Sequence, residues 1–197
     1  MKKKIKKQVE KIANIPYRVT LFTIVILVFY LIGLWKFSFF DNQVKIIESL
    51  NSITEDRVAL ENNIKEMLEG YPMEQMVPYL LQKDNLTAAF LVSIAKKESN
   101  WGKRVPVLDG EDCFNYWGYR GIRDRMGTGG HTCFDSPQDA VDTVGKRIET
   151  LIRKYELTTP ADMIIWKCGS SCAGHSDYGV KKWISDVSLY FNKIIKK

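Results

Sequence analysis

The feature that most constrains this chain is an uncharged stretch near its N-terminus. Residues 19–35, VTLFTIVILVFYLIGLW, are 17 residues without a charged side chain, and phenylalanines at 37, 39 and 40 extend the apolar segment. This length reaches the lower limit for a helix that crosses the hydrocarbon core of a bilayer. We therefore expect a transmembrane anchor over residues 19–40. A cleaved signal peptide is the alternative, but the run is long for one and no A-x-A-like site follows it.

The charge of the chain is distributed unevenly, and this predicts the orientation of the anchor. The formal net charge is +6, and residues 1–18 account for all of it with seven basic side chains and one acidic. The rest of the chain holds 22 basic and 22 acidic residues, so nucleic acid is not an expected partner. Basic residues before the span and Asp41 after it predict a cytoplasmic tail at 1–18, with the C-terminal domain outside the cell membrane.

Four cysteines follow the anchor: Cys113, Cys133, Cys168 and Cys172. An even number of cysteines in an oxidising compartment favours two disulfides. Proximity in sequence favours the pairs 113–133 and 168–172, and the other two connectivities stay open. A zinc site that includes His131 and His175 is the alternative. The spacing C-x₃-C is not usual for zinc, so we expect neither a metal nor another cofactor.

The remaining chain divides into a polar helical segment and a mainly helical domain. Residues 41–72 carry a thin apolar seam, which is typical of a stalk or linker, a short coiled coil, or a helix that lies on the domain. Residues 73–197 are expected to form the globular domain. It contains a glycine-rich, aromatic insertion at 101–135, in which short strands are expected. Helices are predicted to begin near Asp84, Ser136 and Asp177.

One acid occupies a position that the apolar pattern assigns to the core. Leu86, Phe90 and Ile94 step by four along one helix face, and the next step reaches Glu98. A helix C-terminus carries partial negative charge, so an acid there is disfavoured unless it has a task. Apolar surroundings favour the protonated form of a carboxyl group, which can then protonate the leaving oxygen of a glycosidic bond. The alternative is an ordinary capping or salt-bridged acid.

An aromatic loop follows this acid directly. Aromatic rings can stack on sugar faces, and asparagine amides can bind the hydroxyl or acetamido groups of sugars. The candidate side chains are Trp101, Tyr116, Trp117 and Tyr119, together with Asn100 and Asn115. The alternative is that these rings fill the core.

Two motifs in this region have a familiar spacing. The first is a helix end with Ala95, Glu98, Ser99, Trp101 and Gly102, and the second is a turn with Asn115, Trp117 and Gly118. Both resemble motifs of the bacterial glucosaminidase family in the lysozyme-like superfamily. Segments 133–151 and 175–187 are similar to the next helix and the final tyrosine-bearing helix of that family, so the likeness covers roughly residues 75–192 in order.

The resemblance implies a lysozyme-like α+β domain, mainly α, with a small irregular or β insertion after the catalytic helix. It implies that Glu98 is the general acid of an endo-β-N-acetylglucosaminidase that cleaves β-1,4 bonds of peptidoglycan. It also places Ser99 and Tyr178 near the substrate. Tyr119 and Arg120 depart from the isoleucine–lysine pair that is commoner in the family. No second carboxylate is evident, so inversion, retention and intramolecular attack to an anhydro sugar stay open.

Three functions fit this sequence. The first is a membrane-anchored peptidoglycan hydrolase. The second is a lytic transglycosylase of the same superfamily, which needs one acid and no activated water. The third is a non-catalytic envelope protein that binds glycan. In each case the expected partners are an amino-sugar glycan and the membrane, and the sequence leaves the oligomeric state open.

Overall fold

A computed structural model describes residues 17–195 of the chain. Residues 1–16, which include most of the predicted basic tail, lie outside the described residues, as do the last two. The described chain is mainly helical with two small two-stranded sheets, which confirms the predicted mixture of helix and short strand. It divides into two compact units between Thr54 and Glu55.

The described residues of the first unit form the N-terminal part of helix α1, which runs from Tyr17 to Leu68. The large apolar side chains of this part, among them Phe22, Phe29 and Trp35, are exposed. The helix is long and apolar enough to cross a membrane, and a signal sequence would share that character. Such a surface is unfavourable in water and favourable in lipid.

The second unit begins inside the segment that the sequence assigns to a stalk or linker. Leu60, Ile64 and Leu68 on the last turns of α1 are at most 2% exposed and belong to its core. Leu50 and Ile53, on the same predicted seam, are exposed. The C-terminal part of the seam therefore lies on the domain, which is one of the alternatives that the sequence leaves open.

A second contact connects α1 to the start of the helix that begins at Asn85. The Arg57 guanidinium donates to the Lys83 carbonyl and to the Asn85 side-chain oxygen, both at 2.9 Å. A 3₁₀ turn at Pro72–Met76 and the short helix α2 at Val77–Leu80 follow α1. They connect it to the start of the next helix along the chain.

Helix α3, Asn85–Ser99, is the centre of the core. The Asp84 carboxylate accepts a hydrogen bond from the Thr87 N–H at 2.9 Å, which confirms the predicted helix start. Residues 87–95 are buried without interruption, so every face of this helix is covered along that stretch. A helix that is covered all round needs partners on all sides.

Two short hairpins form the insertion that follows α3. Strand β1, Val107–Leu108, pairs antiparallel with β2, Glu111–Asp112. Strand β3, Met126–Gly127, pairs antiparallel with β4, His131–Thr132. The disulfide Cys113–Cys133 joins the residue after β2 to the residue after β4, so it connects the two hairpins.

Three further helices complete the domain. Helix α4 is Pro137–Tyr155, a 3₁₀ turn at Asp162–Ile164 leads into α5, Ile165–Cys168, and α6 is Asp177–Ile195. The Ser136 hydroxyl accepts from the Asp139 N–H at 3.1 Å, which confirms the predicted cap of α4. The disulfide Cys168–Cys172 closes the turn after α5, so both predicted pairings are present. Helix α6 packs along α3, where the Phe90 and Phe191 ring centroids are 4.7 Å apart.

The contrast between the two parts of α1 predicts that the same truncation, isoleucine to alanine, lowers stability in one part and leaves it nearly unchanged in the other. Ile64→Ala should lower the free energy of unfolding by about 2–5 kcal/mol, because Ile64 is fully buried and its truncation leaves a cavity. Ile53→Ala is the matched control, since Ile53 is 65% exposed on the same helix, and it should change stability by less than about 0.5 kcal/mol. Denaturant unfolding of the full-length chain in detergent measures both. Equal effects would contradict the placement of the α1 end in the core.

Candidate active site

A tight reversal of the backbone stops helix α3 directly after Glu98. Asn100, Trp101 and Gly102 all have left-handed backbone conformations, with φ of 54°, 54° and 93°. The Ser99 hydroxyl donates to the Ala95 carbonyl at 3.0 Å and accepts from the Gly102 N–H at 2.9 Å. These bonds satisfy backbone groups at the helix end and fix the direction in which the last turn faces.

Glu98 does not face the core, and the expectation that it would is wrong. Phe90 and Ile94 on the same stripe are fully buried, but the Glu98 side chain is exposed. Glu98 shares the helix face of Phe90 and Ile94, but at its position this face is no longer covered by the core. Glu98 therefore stands on the wall of an open groove of about 500 Å³.

The groove lies between the end of α3 and the insertion with the two hairpins. Its other lining residues are Ser99, Arg104, Val105, Pro106, Asn115, Gly118, Thr128, Gly129 and His131. Glu98 is the only acid among these lining residues, all of which belong to the described part of the chain. Five acids of the insertion do not line the groove: Asp109, Glu111, Asp112, Asp124 and Asp135.

A buried tryptophan holds the Glu98 carboxylate in place. The Trp183 indole N–H, on α6, donates to Glu98 Oε1 at 2.7 Å, and the Trp183 ring is only 1% exposed. The packed ring cannot follow the carboxylate if it moves, so the hydrogen bond fixes one oxygen. The sequence places Trp183 on the apolar stripe of the last helix, where nothing distinguishes it from other core residues.

Gly118 keeps the space in front of the second carboxylate oxygen open. A Cβ atom on Gly118 would lie 4.0 Å from Glu98 Oε2 and 3.9 Å from the Cε1 atom of His131. The backbone there has φ of 67°, which favours glycine. Glu98 and His131 thus both border the space in front of Gly118.

His131 also lines the groove, although the sequence suggests it only as a possible zinc ligand. The Arg120 guanidinium, which can only donate, lies 3.3 Å from His131 Nε2, and the other ring nitrogen is Nδ1. This Nδ1 is buried and has no hydrogen-bond partner in the described part of the chain. All four cysteines are in disulfides, so they do not complete a zinc site.

Three of the rings expected to contact sugars are in the core. Trp101, Tyr116 and Trp117 are at most 4% exposed. The indole N–H groups of Trp101 and Trp117 donate to the carbonyls of Val92 and Leu91 at 2.8 and 2.7 Å, so both rings hold the insertion against α3. Burial raises the pKa of Tyr116, and the nearby Asp112 carboxylate, which accepts a hydrogen bond from the Tyr116 hydroxyl, raises it further. This arrangement fits the core alternative.

The Asn115 side chain forms its hydrogen bonds with backbone groups. Its amide nitrogen donates to the carbonyls of Tyr119 and Thr132, both at 2.8 Å, and its oxygen accepts from the Tyr119 N–H at 2.9 Å. The amide therefore fixes the turn that carries Gly118 against β4. This gives the second sequence motif a structural role at the groove.

The other predicted contacts are distributed over the surface. Asn100 is half-buried at the helix end. Tyr119 is half-buried and stacks between Phe134 and Trp166, with ring centroids 6.1 and 6.3 Å away. Tyr178 is 76% exposed at the start of α6 and does not line the groove. Of the predicted substrate residues, the groove brings Ser99 and Asn115 together with Glu98.

An ion pair attaches the loop before β3 to α4. The two terminal nitrogens of the Arg123 guanidinium, Nη1 and Nη2, donate to the Asp139 carboxylate at 2.5 and 2.9 Å. These bonds are the main reason that the pKa of Asp139 lies below its ordinary value of 3.8. The same arginine also lies 5.0 Å from the Phe134 ring centroid, so the loop is held from two sides.

No family model, curated protein or solved structure matches this chain.

The ion pair predicts a pH dependence of stability. Since the pKa of Asp139 is lowered in the folded chain, its contribution is complete above the ordinary value of 3.8 and is lost as the pH falls through the lowered pKa. Asp139→Asn should lower the free energy of unfolding by roughly 1 kcal/mol from neutral pH down to about pH 5. The difference from the unaltered chain should then shrink below pH 3.8.

Denaturant unfolding at a series of pH values measures this difference. Asp124→Asn is the control, because Asp124 is an exposed acid of the same loop and forms no ion pair with another described residue. It should leave the pH profile nearly unchanged. Parallel profiles for Asp139→Asn and the unaltered chain at all pH values would contradict the role given to this pair.

Proposed function

We propose that this chain is a membrane-anchored enzyme that cleaves β-1,4 glycosidic bonds in peptidoglycan, with Glu98 as the proton donor. The placement of Glu98 carries the proposal: its carboxyl group is exposed in a groove while one oxygen is fixed by a buried indole. The two motifs that resemble the bacterial glucosaminidase family meet at this groove. A lysozyme-like fold belongs to the same proposal, and the central helix followed by hairpins supports it.

The two oxygens of Glu98 have different surroundings, and the proposal gives them different roles. Oε1 accepts from Trp183, and Oε2 lies nearest the gap beside Gly118. A sugar in this gap places its glycosidic oxygen beside Oε2, which donates the proton as the bond between the anomeric carbon and that oxygen breaks. The Trp183 N–H stabilises the carboxylate that remains, so it favours the product of the proton transfer.

The absence of a second acid among the groove residues affects the next step of the reaction. Two-carboxylate hydrolases keep the second group roughly 5–10 Å from the first, so that it can attack the sugar or activate water. In an endo-β-N-acetylglucosaminidase with one acid, the acetamido group of the substrate attacks the anomeric carbon, and water then opens the intermediate. Glu98 then acts as the base for this water.

The same observation favours a second candidate function. In a lytic transglycosylase a hydroxyl of the substrate itself attacks the anomeric carbon, which gives an anhydro sugar and needs no activated water. Glu98 alone suffices for this reaction. A non-catalytic envelope protein needs neither an exposed acid in the groove nor a buried donor to hold it.

Two observations support an extracytoplasmic position of the second unit. The basic residues precede the apolar helix in sequence, and Asp41 follows the apolar stretch. Both disulfides lie in the second unit, and disulfides persist in oxidising compartments.

The role of Glu98 predicts that activity and stability respond differently to one substitution. Glu98→Gln should reduce the cleavage of purified peptidoglycan by a factor on the order of 10² to 10⁴, the usual contribution of a positioned general acid. The free energy of unfolding should change by less than about 0.5 kcal/mol, since the glutamine oxygen can still accept from Trp183. Glu111→Gln removes the same charge from an exposed hairpin residue outside the groove and should keep full activity.

Mass spectrometry of the products tests the proposal further. Products that end in a reducing N-acetylglucosamine indicate the hydrolase, and products lighter by one water indicate the transglycosylase. If the unaltered chain binds peptidoglycan but releases no product, the non-catalytic alternative is correct. Full activity in Glu98→Gln would show that another group donates the proton.

The proposed orientation predicts the outcome of protease treatment. A protease added to intact spheroplasts should remove the second unit, because the chain after about residue 41 lies outside the membrane. A cytoplasmic protein in the same cells is the control for leakage and should survive. Protection of the second unit in spheroplasts, with digestion only after lysis, would contradict the orientation and an extracytoplasmic substrate with it.

A further inference from the structure

A second cleft borders the groove that contains Glu98. Gly118 lines the Glu98 groove and also a recess of about 260 Å³, whose walls include Tyr119, Arg120 and Trp166. A further recess of about 250 Å³ shares Arg147 and three other lining residues with it. We call the two recesses together the side cleft. Gly118 thus borders both the Glu98 groove and the side cleft, so the two lie side by side.

The side cleft is lined by cations and by no acid. Arg120, Arg147 and Lys154 contribute its charged side chains, and its other lining residues are uncharged. None of the ion pairs among the described residues includes Arg147 or Lys154. Residues 19–197 hold equal numbers of basic and acidic side chains, so this local excess is not a consequence of a basic domain.

The sequence of α4 separates these cations from the other cations of the same helix. Glu149 lies three residues after Lys146 and four before Arg153, so an acid neighbours both of them on the helix surface. Arg147 and Lys154 instead share Thr150 as the neighbour at those spacings. One face of α4 thus carries an acid between its cations, and the face along the side cleft carries none.

The wall opposite α4 is built to be rigid. The Trp166 indole N–H donates to the Trp117 carbonyl at 3.3 Å, and its ring stacks with Tyr119 at 6.3 Å. The disulfide Cys168–Cys172 closes the turn that begins with Gly169, another lining residue. A wall fixed in this way, facing cations without acidic partners, is suited to bind a charged polymer with little loss of conformational entropy.

We propose that the side cleft binds acidic groups, carboxylates or phosphates, on the same glycan strand whose bond is cleaved at Glu98. The proposal rests on the proposed function and adds its substrate class: an anionic glycan, as opposed to a neutral amino-sugar polymer. Guanidinium groups bind carboxylates and phosphates through paired hydrogen bonds. In peptidoglycan these groups belong either to the peptide stems or to phosphodiester polymers attached to the glycan.

The test compares two double variants of the full-length chain in detergent. Arg147→Gln with Lys154→Gln removes two cations from the side cleft. Lys146→Gln with Arg153→Gln is the matched control, because it changes the same residue types on the same helix by the same charge. Both carry Glu98→Gln to prevent turnover, and thermal melts verify that both are folded. Sedimentation with purified peptidoglycan sacculi measures binding.

The side-cleft variant should bind sacculi roughly 5- to 20-fold more weakly than the control, since each partly exposed charged contact changes affinity a few-fold. Its binding should also depend less steeply on salt. Equal affinity of the two double variants would overturn the proposal.

Chemical treatment of the sacculi identifies the acidic group. If the groups are carboxylates, amidation with a carbodiimide and ammonia should abolish the difference between the two double variants. If they are phosphates, hydrofluoric acid, which removes phosphodiester polymers, should abolish it. A difference that survives both treatments would overturn the assignment to acidic groups.

The release of products from peptidoglycan by the unaltered chain is measured separately. If it releases no product while the side-cleft variant still binds more weakly than the control, the proposed enzymatic function fails and the acid-binding cleft stands. If the unaltered chain cleaves and the two double variants bind equally, only the cleft fails.

Discussion

The complete burial of helix α3 is the constraint on which the second unit depends. A helix that is covered all round from residue 87 to 95 forces other elements to pack on every side of it, and α1, α4, α6 and the insertion do so. Beyond this stretch the helix is less covered, and in its last turn Glu98 is exposed. The sharp reversal after Ser99 ends the helix there, so Glu98 lies where the helix leaves the core.

The features that could be predicted from the sequence have local causes. The starts of α3 and α4 follow from Asp84 and Ser136, whose side chains cap the helices whatever packs around them. Each disulfide joins two cysteines that follow one another in the order of the sequence. The apolar stretch before Asp41 is visible in composition alone. Such signals need no knowledge of the tertiary structure.

The environment of Glu98 could not be predicted in the same way. Helical spacing shows which face a residue shares, but it does not show how far along the helix the core extends. The aromatic residues of the insertion posed the same difficulty, because Trp101 and Trp117 fit a sugar platform and a buried anchor equally well until their indole partners are known. Trp183 and His131 come from distant elements, and only the fold brings them to the groove.

The turn after Glu98 has a consequence for how this sequence can drift during evolution. A Cβ atom at Gly102 would lie 2.9 Å from both Pro72 and the Tyr116 ring, so any other residue there requires both of these neighbours to shift. Pro72 belongs to the turn that follows α1, and Tyr116 belongs to the insertion. A sequence that replaces Gly102 must therefore change both segments together if Glu98 is to keep its position. A single substitution at residue 102 does not achieve this.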